Sequence, residues 1–168
     1  PDSLEWIASS NSVGARSDIV VNACDVPHTI RYVPVMRILG VFIDETASTE
    51  ASLHARIQEG WRAWFPIQSQ LCHRRAPLKA RIARFFVTIG KTVLWGAGEW
   101  QLSATQLADL DIFTMKCLRR ILGRRKQPHE NGGQYASRAN AHIRIILESM
   151  GQQTLSKQAL RLHHSWAG

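Results

Sequence analysis

The sequence predicts an α+β protein, in which a small antiparallel β region is followed by a helical bundle and a helical extension. Short β-prone runs separated by turn residues occupy residues 1–45. From residue 48 onward, apolar residues recur at intervals of three and four, which is the period of an amphipathic helix. The hydrophobic content of 45% over 168 residues is ordinary for a chain that buries a core.

The β region is predicted to contain four strands, at residues 3–8, 18–21, 30–33 and 37–43. Pro34 has no backbone N–H to donate to a neighbouring strand, so we expect it in the turn that joins the last two strands. Both faces of the last strand are apolar, which suits a strand packed against helices.

The first predicted helix starts with Ser48 as its cap, and Pro66 should kink or end it because proline removes a backbone donor. Pro77 is expected as the first residue of the second helix, which extends to residue 93. Two shorter helices are predicted at residues 135–150 and 154–166, after a linker at residues 127–133 rich in polar residues and glycine.

The helix predicted at residues 103–122 has a signal at each end. Ser103 and Gln106 form a capping-box pattern, and Gly123 is a natural C-terminal stop. Its apolar stripe consists of Leu107, Leu110, Phe113, Cys117, Leu118 and Ile121.

The net charge of +8 is unevenly placed. Residues 1–50 contain three basic and seven acidic side chains, a balance of −4, whereas residues 51–168 contain eighteen basic and six acidic ones, a balance of +12. A basic excess of this size predicts a polyanionic partner for the helical part. The alternative is a solvated surface that only keeps the chain in solution.

Candidate phosphate contacts cluster at the end of the helix that Gly123 closes. Arginine pairs with phosphate oxygens in bidentate fashion, and each contact releases counterions. The alternative is a solvated helix end whose cations only complement the helix dipole. The candidate nucleic-acid-binding residues are Arg119, Arg120, Arg124, Arg125 and Lys126, together with Lys79 and Arg84 on the preceding helix.

The six tryptophans could stack on nucleobases, but most lie on apolar helical stripes. We therefore expect Trp61, Trp64 and Trp95 in the core, and we expect Trp100 to clamp two helices together.

Three widely spaced cysteines and the scattered histidines lack the spacing of zinc sites, so no metal site is predicted. The odd cysteine count suits a reducing compartment. No apolar run approaches the roughly 18 residues that span a bilayer, and no secretory signal opens the chain. We expect an intracellular protein of the nucleus or cytoplasm, with no membrane partner.

Three stretches of the chain follow one another in an order that is typical of one protein family. Trp95, Gly96, Glu99, Trp100 and Leu102 resemble the segment that joins two thumb helices in reverse transcriptases of non-LTR (LINE-type) retrotransposons. Residues 36–44 resemble the primer-grip hairpin of the same enzymes, and residues 164–168 resemble a motif that follows their thumb. The resemblance covers most of the chain from about residue 31 onward.

The resemblance implies that residues 1–45 are the end of a palm subdomain, residues 46–126 a thumb, and residues 127–168 a linker and helical extension. It also implies that Met36, Arg37, Leu39 and Gly40 grip the primer. From periodicity alone, the glycine could equally accommodate a neighbouring helix.

By the same resemblance, the parent protein is an RNA-directed DNA polymerase that uses Mg²⁺ and binds an RNA or DNA template-primer. No Asp-Asp pair is present in this sequence, so no catalytic residue and no cofactor are assigned to it. We expect a primer- and template-gripping fragment, joined to the rest of a parent polyprotein and inactive alone. The alternative is a non-enzymatic basic helical module that binds nucleic acid or protein, derived from a decayed or domesticated element.

Overall fold

The structure, a computed structural model, describes residues 4–8, 14, 16–23, 26–38, 41–46 and 48–166. It divides into two compact units, Pro1–Ala55 and Arg56–Gly168. The predicted α+β class is confirmed, because short strands precede a mainly helical remainder. No described helix is long and apolar enough to cross a membrane.

The first unit contains two small sheets. One has the order β1–β3–β2, in which β3 pairs in parallel with β1 and antiparallel with β2. The other is the antiparallel pair β4–β5, with Ile38 opposite Val41. The strands are β1 (Leu4–Trp6), β2 (Ile19–Ala23), β3 (Val26–Tyr32), β4 (Val35–Ile38) and β5 (Val41–Asp44).

The predicted pairing of residues 30–33 with a single strand at 37–43 is wrong. Residues 37–43 contribute to two strands, β4 and β5, which pair with each other as a hairpin. A glycine between two β-prone runs favours a hairpin, and here that signal outweighs continuous β propensity. Leu39 and Gly40 themselves lie outside the described residues.

The first helix, α1 (Glu50–Cys72), starts later than predicted and continues past Pro66. It begins at Glu50, so Ser48 lies one residue before the cap position. The Ser48 hydroxyl instead donates a hydrogen bond to the carboxylate of Asp44. Pro66 does not end it. Trp64 and Leu71 on either side of the proline are fully buried, and their burial offsets the backbone hydrogen bond that proline removes.

The second predicted helix is built in three parts, α2 (Leu78–Phe85), a π-helical turn (Phe86–Gly90) and α3 (Lys91–Val93). Pro77 precedes α2 as its cap residue and is not its first residue. The π-helical turn widens the helix, so the adjacent Phe85 and Phe86 are both buried.

Both predicted signals of α4 (Ala104–Leu122) are confirmed. Ser103 and Gln106 form the capping box, and Gly123 has the left-handed φ of 64° that favours glycine. The stripe is buried from Leu110 to Ile121.

The last two helices are α5 (Gly132–Ser149) and α6 (Leu155–Trp166). α5 begins three residues earlier than predicted, because Asn131 and Gln134 form a second capping box. Asn131, the first residue of that box, lies inside the segment predicted as a linker.

Aromatic side chains fill the core between α1, the α2–α3 region and α4. The rings of Trp61 and Phe113 meet edge to face at 4.9 Å, and those of Trp64 and Phe85 at 6.5 Å. The helices approach closely at Gly60, where a Cβ atom would lie 2.5 Å from Val93 Cγ2.

Candidate nucleic-acid interface

The basic segment, which we define as Arg124, Arg125 and Lys126, follows the glycine that ends α4. All three side chains are exposed. Within the part of the chain that the structure describes, no acidic side chain forms an ion pair with any of them. Arg74, Arg124 and Arg125 line a shallow recess at this end of the helix.

Two arginines from the α1–α2 region donate hydrogen bonds to backbone carbonyl groups at the end of α4. Arg81 Nη1 donates to Ile121 O at 2.6 Å, and Arg74 Nη2 donates to Gly123 O. These carbonyl groups accept no hydrogen bond from the helix backbone, because the last turn of a helix leaves its C=O groups without backbone partners.

Two side chains of α5 hold the backbone of the basic segment itself. Tyr135 Oη donates to Arg124 O at 3.0 Å, and Arg138 Nη2 donates to Arg125 O at 3.3 Å. Arg138 is in turn paired with the buried carboxylate of Glu130, which also accepts a hydrogen bond from the Gln127 N–H at 2.9 Å. The segment is thus held in place from both sides.

Arg81 is buried, although its position on the polar side of the predicted helix suggested an exposed cation. Its guanidinium donates to Leu71 O and Ala76 O, each at 3.1 Å, in addition to Ile121 O. No periodic signal in the sequence distinguishes it from its exposed neighbours. It is a structural residue beneath the interface.

Arg119 and Arg120 point away from the basic segment, in two different directions. Arg119 Nη1 donates to Asn140 Oδ1 on α5 at 2.8 Å. The guanidinium of Arg120 lies over the rings of Trp61 and Trp64, at 5.3 and 6.0 Å from their centroids. Successive residues on a helix are about 100° apart, so two adjacent arginines cannot share one face.

Lys79 and Arg84 are exposed on α2. The arginines of this region that contact the end of α4 are Arg74 and Arg81, which sequence reasoning did not select.

The hairpin that resembles a primer grip is only partly described. Met36 lies opposite Ile43 and is half-buried, whereas Arg37 is exposed with its guanidinium 5.6 Å from the Phe42 ring centroid. Leu39 and Gly40 lie outside the described residues.

The turn within the first stretch that carries the resemblance packs against α6, the helix in which the third stretch begins. Gly96 turns the chain with a φ of 79° after α3, a 3₁₀ turn (Ala97–Glu99) follows, and α6 packs against that turn. His163 Nδ1 lies 3.2 Å from Gly98 O. Trp100 is buried here, as a residue that joins helices should be.

The prediction that Trp95 lies in the core is wrong, because 59% of its surface is exposed. α3 ends at Val93, which is fully buried, and Gly96 then turns the chain with a φ of 79°. Trp95 therefore lies in the turn after the helix and not on its buried face.

The acidic doublet Asp44–Glu45 does not fit a magnesium site. Asp44 accepts hydrogen bonds from the backbone and hydroxyl groups of Thr46 and Ser48. Burial alone would raise the pKa of Asp44, but these hydrogen bonds outweigh it and lower the pKa overall. Glu45 accepts from Tyr32 Oη and pairs with Arg16. Among the described residues, no group of three His, Cys, Asp or Glu side chains could hold a metal ion.

Comparison with protein-family models, with curated proteins and with solved structures gives no match for this chain.

The Glu130–Arg138 pair makes the stability of this end of the molecule dependent on pH. The hydrogen bonds from Arg138 and from the Gln127 N–H lower the pKa of Glu130 from 4.5 to about 2. A carboxylate with a depressed folded-state pKa stabilises the protein above its unfolded value, and this contribution is lost as the pH falls. We expect the denaturation midpoint to fall between about pH 5 and pH 2, and Glu130→Gln to flatten that dependence.

The matched control is Glu148→Gln, which changes an exposed carboxylate on α5. Urea denaturation followed across this pH range measures the effect. An unchanged pH profile in Glu130→Gln would contradict the assigned role of Glu130.

Proposed function

We propose that the helical unit binds the phosphate backbone of nucleic acid through the basic segment, as the primer- and template-gripping part of an RNA-directed DNA polymerase. One observation carries this proposal: side chains from two sides hold the backbone at residues 121–125, while Arg124, Arg125 and Lys126 stay exposed and without acidic partners among the described residues.

This arrangement suits a polyanion for two physical reasons. A fixed backbone loses little conformational entropy when the three cations bind phosphates. In addition, Ile121, Gly123 and Arg124 have carbonyl oxygens that already accept hydrogen bonds from Arg81, Arg74 and Tyr135. Their partial negative charge is therefore compensated before a phosphate approaches.

The polymerase assignment adds the sequence resemblance to this geometry. In that reading the β4–β5 hairpin contacts the primer through Met36, Arg37, Leu39 and Gly40, and the helical unit contacts the template-primer duplex. Phosphate contacts position a duplex without reading its sequence. Mg²⁺ and the carboxylates that bind it belong to the remainder of the parent polyprotein, since Asp44 and Glu45 are engaged in hydrogen bonds of their own.

The second candidate is a basic helical module without enzymatic function, which binds nucleic acid or protein. The carboxylates of Asp44 and Glu45 already accept hydrogen bonds within the protein, and this favours the second candidate, because such a module needs no metal-binding carboxylate.

Binding should depend steeply on salt. The helical unit has a charge balance of +12, and about six phosphate contacts would give a slope of log affinity against log salt near −5. The test is fluorescence anisotropy between about 50 and 300 mM salt, with a labelled DNA duplex and with an RNA–DNA hybrid. The two slopes should be about equal, because phosphate contacts do not depend on base sequence. A flat response would favour a protein partner.

The chain alone should not extend a primer. With Mg²⁺, deoxynucleotides and an annealed template-primer we expect no product, because no Asp-Asp pair is present to hold two metal ions. Gel analysis of the labelled primer is the measurement, and a known polymerase in the same buffer is the control. Template-dependent extension by the pure chain would overturn the assignment of catalysis to other parts of the parent protein.

A further inference from the structure

An exposed tryptophan stands beside a lysine at the surface of the helical unit. Trp95 and Val87 are 59% and 60% exposed, and Lys91 between them is also exposed. All three line one surface groove: Val87 lies in the π-helical turn, Lys91 begins α3, and Trp95 lies in the turn that follows α3.

These three side chains form one wall of a groove of about 480 Å³. This volume falls within the range of roughly 300–1,000 Å³ that is typical of small-ligand sites. Phe86, Leu94 and Leu162 provide apolar surface, and Lys91 is the one charged side chain among the described residues of the lining. A ligand with an apolar face and a negative charge would match both properties.

The opposite wall carries two amide side chains that are already oriented. Gln152 Nε2 and Gln158 Nε2 both donate to Gln153 O, at 3.3 and 2.8 Å. The structure gives neither amide oxygen a partner among the residues that it describes. Each amide can therefore offer an acceptor to the polar edge of a flat ligand.

We infer that this groove binds an unpaired nucleobase of single-stranded nucleic acid, stacked on Trp95, with the adjoining phosphate at Lys91. Every nucleobase has a π face that can stack on an aromatic side chain, and every nucleotide carries the phosphate that a lysine attracts. A base also presents hydrogen-bonding edges to the glutamine amides. An apolar protein segment would match only the apolar surface and would leave Lys91 and the amides unused.

This inference rests on the proposed nucleic-acid binding and adds a second, base-dependent contact to it. The basic segment lies near Arg81, at the start of the α2–α3 region, and Trp95 lies at its other end. Arg81 and Val93 are twelve residues apart, which at about 1.5 Å per residue is roughly 18 Å along the helical part of this region. One strand of several nucleotides could reach both sites.

Three probes of equal length distinguish the two contacts: a single-stranded oligonucleotide, the same backbone with abasic sites, and a blunt duplex. We expect Trp95→Ala to lower affinity for the single strand about tenfold, as the loss of one stacked base should. Its affinity for the abasic strand and for the duplex should not change. Trp95→Phe should retain most of the affinity, because a phenyl ring still stacks.

A matched control is Phe65→Ala, which removes an aromatic side chain that is 64% exposed on α1 and lies outside the groove. It should leave all three affinities unchanged. Quenching of tryptophan fluorescence by the single strand gives a second readout, which should weaken in Trp95→Phe.

Each outcome separates this inference from the proposed function. If the wild type binds all three probes and Trp95→Ala changes none of the affinities, the base site is wrong while phosphate binding stands. If Trp95→Ala weakens all three equally, base stacking is also wrong. If the wild type binds none of the probes, both proposals fail, and the groove is left for a protein partner.

Discussion

Phe113→Ala should destabilise the helical unit by roughly 3–5 kcal/mol, which is typical of removing a buried phenyl ring. Phe113 is 2% exposed, and its ring packs edge to face on Trp61. It also closes the space above Gly60, where a Cβ atom would lie 2.9 Å from Phe113 Cζ. The remaining cavity cannot collapse easily, because α1, α3 and α4 all meet there.

The free energy of unfolding, measured by urea denaturation with tryptophan fluorescence, provides the test. The control is Ile112→Ala, an exposed residue on the same helix, for which a change within about 0.5 kcal/mol is expected. Equal losses in the two variants would contradict the assignment of Phe113 to the core.

Replacement of Arg124, Arg125 and Lys126 by glutamine should lower affinity for duplex nucleic acid on the order of 100-fold at 0.1 M salt. Each lost phosphate contact removes about 0.9 from the salt slope, so the slope should become shallower by about 3. The melting temperature should hardly change, because all three side chains are exposed.

The matched control is the glutamine variant of Lys116, Arg144 and Arg161, which are also exposed in the helical unit. It removes the same number of positive charges from other positions, so a purely diffuse electrostatic attraction would weaken equally in both triple variants. That equality would refute a built interface at the end of α4. Arg120 is kept in both variants, because its guanidinium packs on Trp61 and Trp64.

Features set by neighbouring residues could be predicted from the sequence. The capping box of α4 and its terminal glycine involve groups at most four residues apart, so the pattern alone located them. Asn131 and Gln134 gave the same signal, but the two glycines between them favoured a linker. The helix forms there because its apolar face, with Ala139, Ile143 and Leu147, is buried.

Features set by distant residues could not be predicted. Trp95 was assigned to an apolar stripe, yet the helix ends at Val93 and Gly96 turns the chain, so Trp95 is exposed. Likewise, the basic cluster at the end of α4 was predicted as one set. The structure divides it, because Arg119 bonds to α5 and Arg120 packs on tryptophan rings of α1, whereas the basic segment is exposed beyond the helix end.

Arg81 has a consequence for how such a sequence can diverge. Its planar guanidinium reaches carbonyl oxygens at the ends of α1 and α4 and in the connection between α1 and α2. Lysine carries the same charge but cannot make hydrogen bonds in that planar geometry. Position 81 therefore cannot change from arginine to lysine, as exposed positions can. Related chains could interchange lysine and arginine at positions 124–126 while position 81 stays arginine. The most constrained cation of the unit would then be one that never meets the nucleic acid.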